Sequence, residues 1–489
     1  MKYLKYKLFV LILGLMITSC SNWLEMNPIN QTTSEGFWIN ENAAEQTLAG
    51  AYALLRKALL NNGGETFLTY GELNGTTFKH KDQTDTEKFV DGSFWNPNMG
   101  EFQWANFYKI TAQCNLILLK ATELDVSLFK NGEKGKQKIL GEAYFLRAFT
   151  YFYMVKVWGD VPLVITSLQN VSEVITKDGA VLNVPRDPEA KVLEQCISDL
   201  KLAESYLVYG TEGSDEWAVR ANKGTVEALM AHIYLWMHKS AEAELAADAV
   251  ITKGGYSLVD YSDSLAVEGM FTGRSSEGIL ELNSRFDQSE SIVDGIANRT
   301  VYHPWIYNKK EEGGTWVVQK EYMSSLYEEN DLRLKRFFGF WNQERPIILK
   351  YAQVIYENPA LHLNPHGNNN IILLRLSDII LLRAEALTNL GRFAEATTLL
   401  NTIRNRAMVT PFAGADSDLK LAIFQEREME LIGEGHAYFD RIRSNEWSDI
   451  SWMTATRKGL KGYYWPIAAS YITNNPKLTQ QSYWATKVW

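Results

Sequence analysis

The chain has 489 residues, 46% of them hydrophobic, and a formal net charge of −9 at pH 7. This length is enough to bury a large core. The acidic balance disfavours nucleic acid as a partner, because nucleic-acid-binding surfaces carry clustered basic residues.

The first twenty residues have the pattern of an export signal. Lys2, Lys5 and Lys7 precede an apolar run over residues 8–17, which is too short to span a bilayer. Residues 17–20 (ITSC) resemble the lipobox of bacterial lipoproteins, in which the Cys thiol accepts the diacylglycerol. We therefore predict a signal peptide at 1–19 and lipidation of Cys20, and two or more acyl chains give stable anchoring. An ordinary signal peptide with a chance Cys is the alternative.

The rest of the chain predicts a body that touches the membrane through this lipid anchor only. After the signal peptide, 18 apolar residues never follow one another without interruption, as a membrane-spanning helix would need. Cys114 and Cys196 both lie in apolar helical patterns, and we predict buried free thiols in preference to a disulfide.

Helical periodicity dominates the sequence. Residues 136–157 are so rich in apolar and aromatic side chains that we predict a mostly buried helix. Two further segments have the spacing of tetratricopeptide helical hairpins, in which small residues let two helices approach closely. The matching positions are Ala231, Tyr234, Ala243, Ala247 and Val250, and then Ala384, Leu387, Ala396, Leu400 and Ile403.

The predicted fold is all-α, a tetratricopeptide-like hairpin scaffold with large loop-rich excursions. We predict an N-terminal region at 20–220 and a C-terminal region at 221–489. The second region contains a stretch, 254–370, that is rich in Gly, Asn, Pro and aromatic residues and has short helix signals only near 319–329. Long irregular stretches in globular chains are usually functional.

Motifs of catalysis are missing from the sequence. It contains no HExxH, GxSxG, GxGxxG or phosphate-binding loop, and no pair of carboxylates stands out as a glycosidase dyad. We therefore predict no catalytic residue, no cofactor and no metal ion. His362 and His366 share a loop segment and leave a metal site open as a minor alternative. For the charged residues Arg404, Arg406, Glu426, Arg427 and Glu430 we predict ion pairing between helices.

Aromatic residues among loop signals are the main indication of function. Flat aromatic rings complement the C–H faces of sugars, and neighbouring amide groups can bind the hydroxyls. Packing within the loops is the alternative for any single ring. Three clusters give the predicted ligand-binding residues, which are Trp95, Asn96 and Asn98 with Asn74, then Tyr302, Trp305 and Trp316, and finally Trp341.

Several segments resemble sequence motifs of the SusD/RagB family of Bacteroidota, and they occur in the same order as in that family. They are WLEMNP at 23–28, WANFYKI at 104–110, GEAYFLRA at 141–148, WGDVPL at 158–163, RAEA at 383–386, LNTIRNRA at 400–407, EREMEL at 426–431, EG at 434–435, WPI at 465–467 and NPKLTQ at 475–480. One departure is Gly433, at a position where we expect a helix that prefers Ala, at a cost of about 1 kcal/mol.

The resemblance implies a non-catalytic, lipid-anchored protein of the outer membrane that faces the cell exterior. It also implies delivery of an oligosaccharide to a SusC-like, TonB-dependent transporter. Family members tend to place ligand contacts in the excursion that contains Trp95. Peptide or another nutrient as the ligand is the first alternative, and a surface hydrolase is a remote one.

Overall fold

The computed structural model describes residues 34–60, 66–73, 78–80, 84–97, 99–167, 183–286, 290, 316–318, 320–343 and 346–487. The predicted signal peptide, Cys20, Asn74, Asn98, Tyr302 and Trp305 lie outside these described residues. Among the described helices, none is long and apolar enough to cross a membrane.

Helices make up most of the described structure, as predicted. They are α1 (Ser34–Phe37), α2 (Glu41–Leu59), α3 (Thr66–Gly71), α4 (Asp85–Asp91), α5 (Ala105–Glu123), α6 (Glu133–Trp158), α7 (Glu189–Tyr206), α8 (Lys223–Trp236), α9 (Ser240–Lys253), α10 (Ser264–Thr272), α11 (Lys320–Leu326), α12 (Leu332–Arg336), α13 (Leu376–Asn389), α14 (Phe393–Arg406), α15 (Asp416–Glu430), α16 (Ala437–Ser444), α17 (Ala455–Gly459) and α18 (Ala469–Asn474).

Short strands supply most of the remaining regular structure of the described residues. They are β1 (Phe78–His80), β2 (Gly278–Leu282), β3 (Trp316–Val318), β4 (Phe338–Gly339), β5 (Ile347–Ile348), β6 (Val354–Asn358), β7 (Leu363–Gly367) and β8 (Ile371–Arg375). Within the part of the chain that the structure describes, they form four antiparallel pairs, β1–β3, β2–β8, β4–β5 and β6–β7.

Both predicted hairpins form, and they are neighbours in space. The first consists of α8 and α9, the second of α13 and α14, and α9 packs against α13. Ala231 and Ala243 of the first hairpin and Ala384 and Ala396 of the second are fully buried, so the helices approach closely at these positions. The long excursion between the hairpins therefore leaves and rejoins one continuous helical scaffold.

The N-terminal half extends this scaffold through α2, α5, α6 and α7, which pack in that order. The 26-residue helix α6 has buried residues on all sides, which confirms the predicted buried helix. Its Arg147 donates to Asp199 of α7 at 2.7 Å and to Asn115 of α5 at 2.8 Å. Cys114 and Cys196 are buried free thiols, as predicted.

Two expectations about the C-terminal region need correction. The stretch 254–370 contains α10, α12 and most of the short strands, although the sequence pattern indicated helix only near 319–329. Gly433 lies outside a helix, because α15 ends at Glu430 and Gly433 has φ +76°. Since L side chains rarely adopt this left-handed conformation, glycine suits the position better than alanine.

Candidate ligand-binding surface

Short strands bring together two of the three predicted aromatic segments. β1 pairs with β3, with His80 opposite Trp316, although 235 residues separate the paired positions. β3 lies against β5, and β5 pairs with β4. Residues 340–343 follow β4 and include Trp341. We call β1, β3, β4, β5 and residues 340–343 the loop platform.

The buried face of the loop platform is a packed aromatic core. The rings of Phe78 and Trp316 are 5.2 Å apart, and both side chains are fully buried. A Cβ atom on Gly433 would be 2.6 Å from Cδ1 of Ile348 in β5. The Tyr351 hydroxyl donates to the Gly433 carbonyl oxygen. The turn after α15 therefore supports the loop platform from below.

Glu72, just after α3, holds the same turn through the backbone. Its carboxylate accepts from the Gly435 N–H at 2.7 Å and from the His436 N–H at 3.3 Å. Burial raises the pKa of Glu72 to about 8, and the backbone hydrogen bonds oppose this shift. Gly71 approaches so closely that a Cβ atom there would be 2.2 Å from the Gly435 carbonyl oxygen.

The predicted ligand-binding residues of the loop platform differ in exposure. Trp316 is fully buried, so its ring packs in the core and presents no face to a ligand in this structure. Trp341 is half-buried and packs partly against the core, and Asn342 next to it is exposed. Trp341 therefore combines packing against the core with an accessible surface.

Trp95 rests on the C-terminal segment of the chain. Its ring stacks on Trp484, with centroids 5.5 Å apart and planes at 13°, and it lies 5.7 Å from Phe89 of α4. The Ala469 N–H donates to the Pro97 carbonyl oxygen at 3.3 Å. Trp95 is half-buried and Asn96 is exposed. Phe89 and Trp484 therefore cover part of the Trp95 ring, and the rest of the ring is accessible.

The predicted ion pairs between the last helices are confirmed. Arg404 and Arg406 of α14 reach Glu426 and Glu430 of α15 at 2.9 and 2.6 Å. Arg427 points to a different cluster and pairs with Asp378 and Asp440, each at 2.7 Å. Apart from the partly exposed Arg404, these groups are almost completely buried, so their role is to hold helices together.

Two arginines that the sequence analysis missed complete the first cluster. Arg333 of α12 and Arg375 of β8 both pair with Glu430, at 3.2 and 2.7 Å. Burial alone would raise the pKa of Glu430, but Arg406, Arg375 and Arg333 outweigh burial and hold this pKa well below its usual value. An arginine inside the apolar run IILLRL at 371–376 was the available signal.

A buried cavity between α6, α8 and β8 is too small for a sugar. It encloses about 30 Å³, which is room for roughly one water. Lys156 and His436 are among its lining residues, and the Lys156 amine lies 4.2 Å from the Phe439 ring centroid. Burial lowers the pKa of Lys156 to about 8 and that of His436 to about 4.

His362 and His366, the alternative metal site of the sequence analysis, lie on the hairpin of β6 and β7. His366 contacts the Glu357 carboxylate at 2.9 Å, and His362 packs edge-on against Tyr356. Within the described residues, no group of three or more His, Cys, Asp or Glu side chains is arranged to hold a metal ion.

Two family models match the chain. The SusD family model matches residues 294–484, and a model described as "Starch-binding associating with outer membrane" matches residues 22–235. The chain belongs to the SusD/RagB family, which confirms the resemblance seen in the sequence. It is thus a member of a family of nutrient- and glycan-binding proteins.

Known relatives match over most of their length. SusD-like protein P38 of Formosa agariphila is 26% identical over 96% of this chain and 97% of the relative. A SusD-like protein of Bacteroides ovatus is 22% identical over 90% of this chain and 82% of the relative. A crystal structure of a SusD superfamily protein from Bacteroides thetaiotaomicron, 25% identical, superimposes with a TM-score of 0.75 and covers 91% of this chain and 99% of that one.

Proposed function

We propose that this chain is a non-catalytic glycan-binding lipoprotein of the cell surface. It captures an oligosaccharide with loop aromatics and delivers it to a SusC-like, TonB-dependent transporter. The observation that carries the proposal is the β1–β3 pairing together with the contact of β3 with β5, because it fixes the segment that leads to Trp341 on the helical scaffold. Rigid support keeps the entropy cost of ordering a binding surface low.

The proposed contacts are Trp341 on the loop platform and Trp95 with Asn96 beside the C-terminal segment. Asn74, Asn98, Tyr302 and Trp305 remain proposed contacts from the sequence alone. The exposed edges of half-buried rings can pack against sugar C–H groups, and neighbouring Asn side chains offer both donors and acceptors to hydroxyls.

The buried charge cluster of the last helices does not supply a catalytic acid. Glu430 is completely buried, and its arginine partners hold its pKa well below its usual value. A glycosidase needs one carboxyl group that is protonated and reaches the leaving oxygen. A hydrolysis assay with mixed glycans and peptides tests this part, and product release above a no-protein control contradicts it.

The proposed anchor is the lipid on Cys20, and the proposed partner is the transporter. Radiolabelled fatty acid should enter the wild-type chain and not Cys20→Ala, and equal labelling of both contradicts lipidation. Native protein solubilised in detergent should co-purify with a TonB-dependent transporter. Recovery of a lone monomer from cells that express the transporter contradicts the partnership.

A panel of oligosaccharides and peptides tests the ligand class. The proposal predicts saturable binding of at least one oligosaccharide to the purified chain, measured by calorimetry. Saturable binding of peptides, with none of any oligosaccharide in the panel, identifies a peptide-binding member of the family instead.

A further inference from the structure

A cleft lies at the base of the β4–β5 pair. It encloses about 280 Å³, close to the lower end of the size range of small-molecule sites. Helices α10 and α12 and residues 349–353 form its walls. The Leu349 N–H donates to the Phe337 carbonyl oxygen at 2.7 Å, which closes the base of the pair that leads to Trp341.

The floor of the cleft is apolar and firmly held. Val267 and Phe271 of α10 are its buried part, and the half-buried Leu349 and Ala352 are its more accessible part. Asn369 also lines the cleft and is buried, and its amide donates to the carbonyl oxygens of Phe271 at 2.7 Å and Lys350 at 3.1 Å. A floor fixed in this way offers a preformed surface to the C–H groups of a ligand.

Polar side chains form the rim. The Gln353 amide donates to the Glu268 carboxylate at 2.5 Å, so one wall presents a paired amide and carboxylate. Arg336 of α12 donates to the carbonyl oxygens of Tyr261 and Ser262, both at 2.9 Å. These bonds fix the guanidinium group in place before any ligand arrives.

The charge of the cleft is opposite to that of the chain. Lys335 and Arg336 bring two positive charges, and Glu268 brings one negative charge, whereas the whole chain has a formal net charge of −9. A cleft with surplus positive charge favours an anionic group, and guanidinium and ammonium groups form strong hydrogen bonds with carboxylates.

We propose that this cleft binds one acidic sugar residue, a hexuronate, as a second contact for the captured glycan. The carboxylate lies between Lys335 and Arg336, the hydroxyls bind Glu268 and Gln353, and a C–H face rests on the half-buried Leu349 and Ala352. The inference rests on the proposed glycan-binding function and narrows the ligand to an acidic polysaccharide.

Site-resolved acetylation of lysines tests the cleft directly. The purified chain is treated with an amine-acetylating reagent in the presence of galacturonate, glucuronate, mannuronate, the corresponding neutral hexoses, or inorganic phosphate. Peptide mass spectrometry then gives the extent of acetylation at Lys335. Lys420, exposed on α15, is the internal control.

At least one hexuronate should reduce acetylation of Lys335 by about threefold at twice its Kd, since one-site occupancy is then about two thirds. Acetylation of Lys420 should not change, and neutral hexoses and phosphate should protect Lys335 less. In Gln353→Ala the protection should weaken while the circular dichroism spectrum stays that of the wild type.

Three results overturn the inference, namely no protection of Lys335 by any hexuronate, equal protection by neutral hexoses, and equal protection by phosphate. The experiments distinguish an error in the proposed cleft from an error in the glycan-binding proposal. If an oligosaccharide binds in a Trp341-dependent manner while Lys335 stays unprotected, only the cleft is wrong. If no oligosaccharide binds at all, the glycan-binding proposal itself is wrong.

Discussion

Trp95 stacks on Trp484 with ring centroids 5.5 Å apart and planes inclined by 13°. This contact joins the excursion that precedes α5 to the last described turn of the chain. It gives Trp95 a structural role in addition to its proposed contact with ligand. Stability and affinity are therefore expected to respond together when this ring is removed.

Trp95→Ala should lower the free energy of unfolding by about 2 kcal/mol, because it removes a half-buried ring and a stacked pair. Trp95→Phe should retain most of this stability, since a smaller ring still stacks on Trp484. Urea denaturation of both variants measures the difference. Wild-type stability in Trp95→Ala argues against the stacking contact.

Gly433→Ala should destabilise the protein by about 2–4 kcal/mol. The added methyl group meets Ile348, and the positive φ is unfavourable for alanine. The matched control is Gly269→Ala, in the exposed part of α10 with open space around the position. This control should gain up to about 1 kcal/mol from helix propensity. Similar thermal midpoints for the two variants contradict the account of the turn.

Glu430→Gln should cost about 3–5 kcal/mol, because it leaves the buried Arg333, Arg375 and Arg406 without their shared carboxylate. Glu395→Gln removes an exposed pair with Arg392 and should change stability by less than about 1 kcal/mol. Chemical denaturation at pH 7 compares the two variants. Equal losses indicate that the buried cluster contributes no more than a surface pair.

The raised pKa of Glu72 predicts a specific dependence of stability on pH. Its folded pKa of about 8 lies above the ordinary value of 4.5. Below pH 4.5 the carboxyl group is protonated in both states and costs nothing. As pH rises towards 8, the unfolded state ionises first, and the folded state loses stability relative to it.

Glu72→Gln removes this titration and mimics the protonated form. Its stability relative to the wild type should rise steadily between pH 5 and pH 8, reaching a few kcal/mol on an order-of-magnitude basis. Thermal midpoints recorded across this range give the comparison. A difference that does not vary with pH means that Glu72 is ionised in the folded protein.

The helical scaffold could be predicted because its signals are local. The small residues at Ala231 and Ala384 recur with helical spacing, and the structure places them where helices touch. Ion pairing of Arg404 and Arg406 followed from their position on adjacent helices. Family motifs spread along the chain pointed to the same fold.

The loop platform could not be predicted, because its determinants are distant in sequence. β1 and β3 have three residues each, too few for a period, and their partners are far along the chain. The burial of Trp316 depends on that pairing and on Phe78. Gly433 was read as a helical position because contacts with Ile348 and Tyr351 leave no local pattern.

The affinity of the chain for an oligosaccharide, with and without the Trp341 ring, tests the central claim most directly. Trp38→Ala is the matched control, because Trp38 is also half-buried, lies outside helices and strands and packs against the core. Calorimetry should show an affinity loss of about tenfold for Trp341→Ala, by analogy with aromatic stacking worth about 1–3 kcal/mol. Trp38→Ala should bind like the wild type. Equal affinities for the wild type and Trp341→Ala, with both correctly folded, contradict ligand binding on the loop platform.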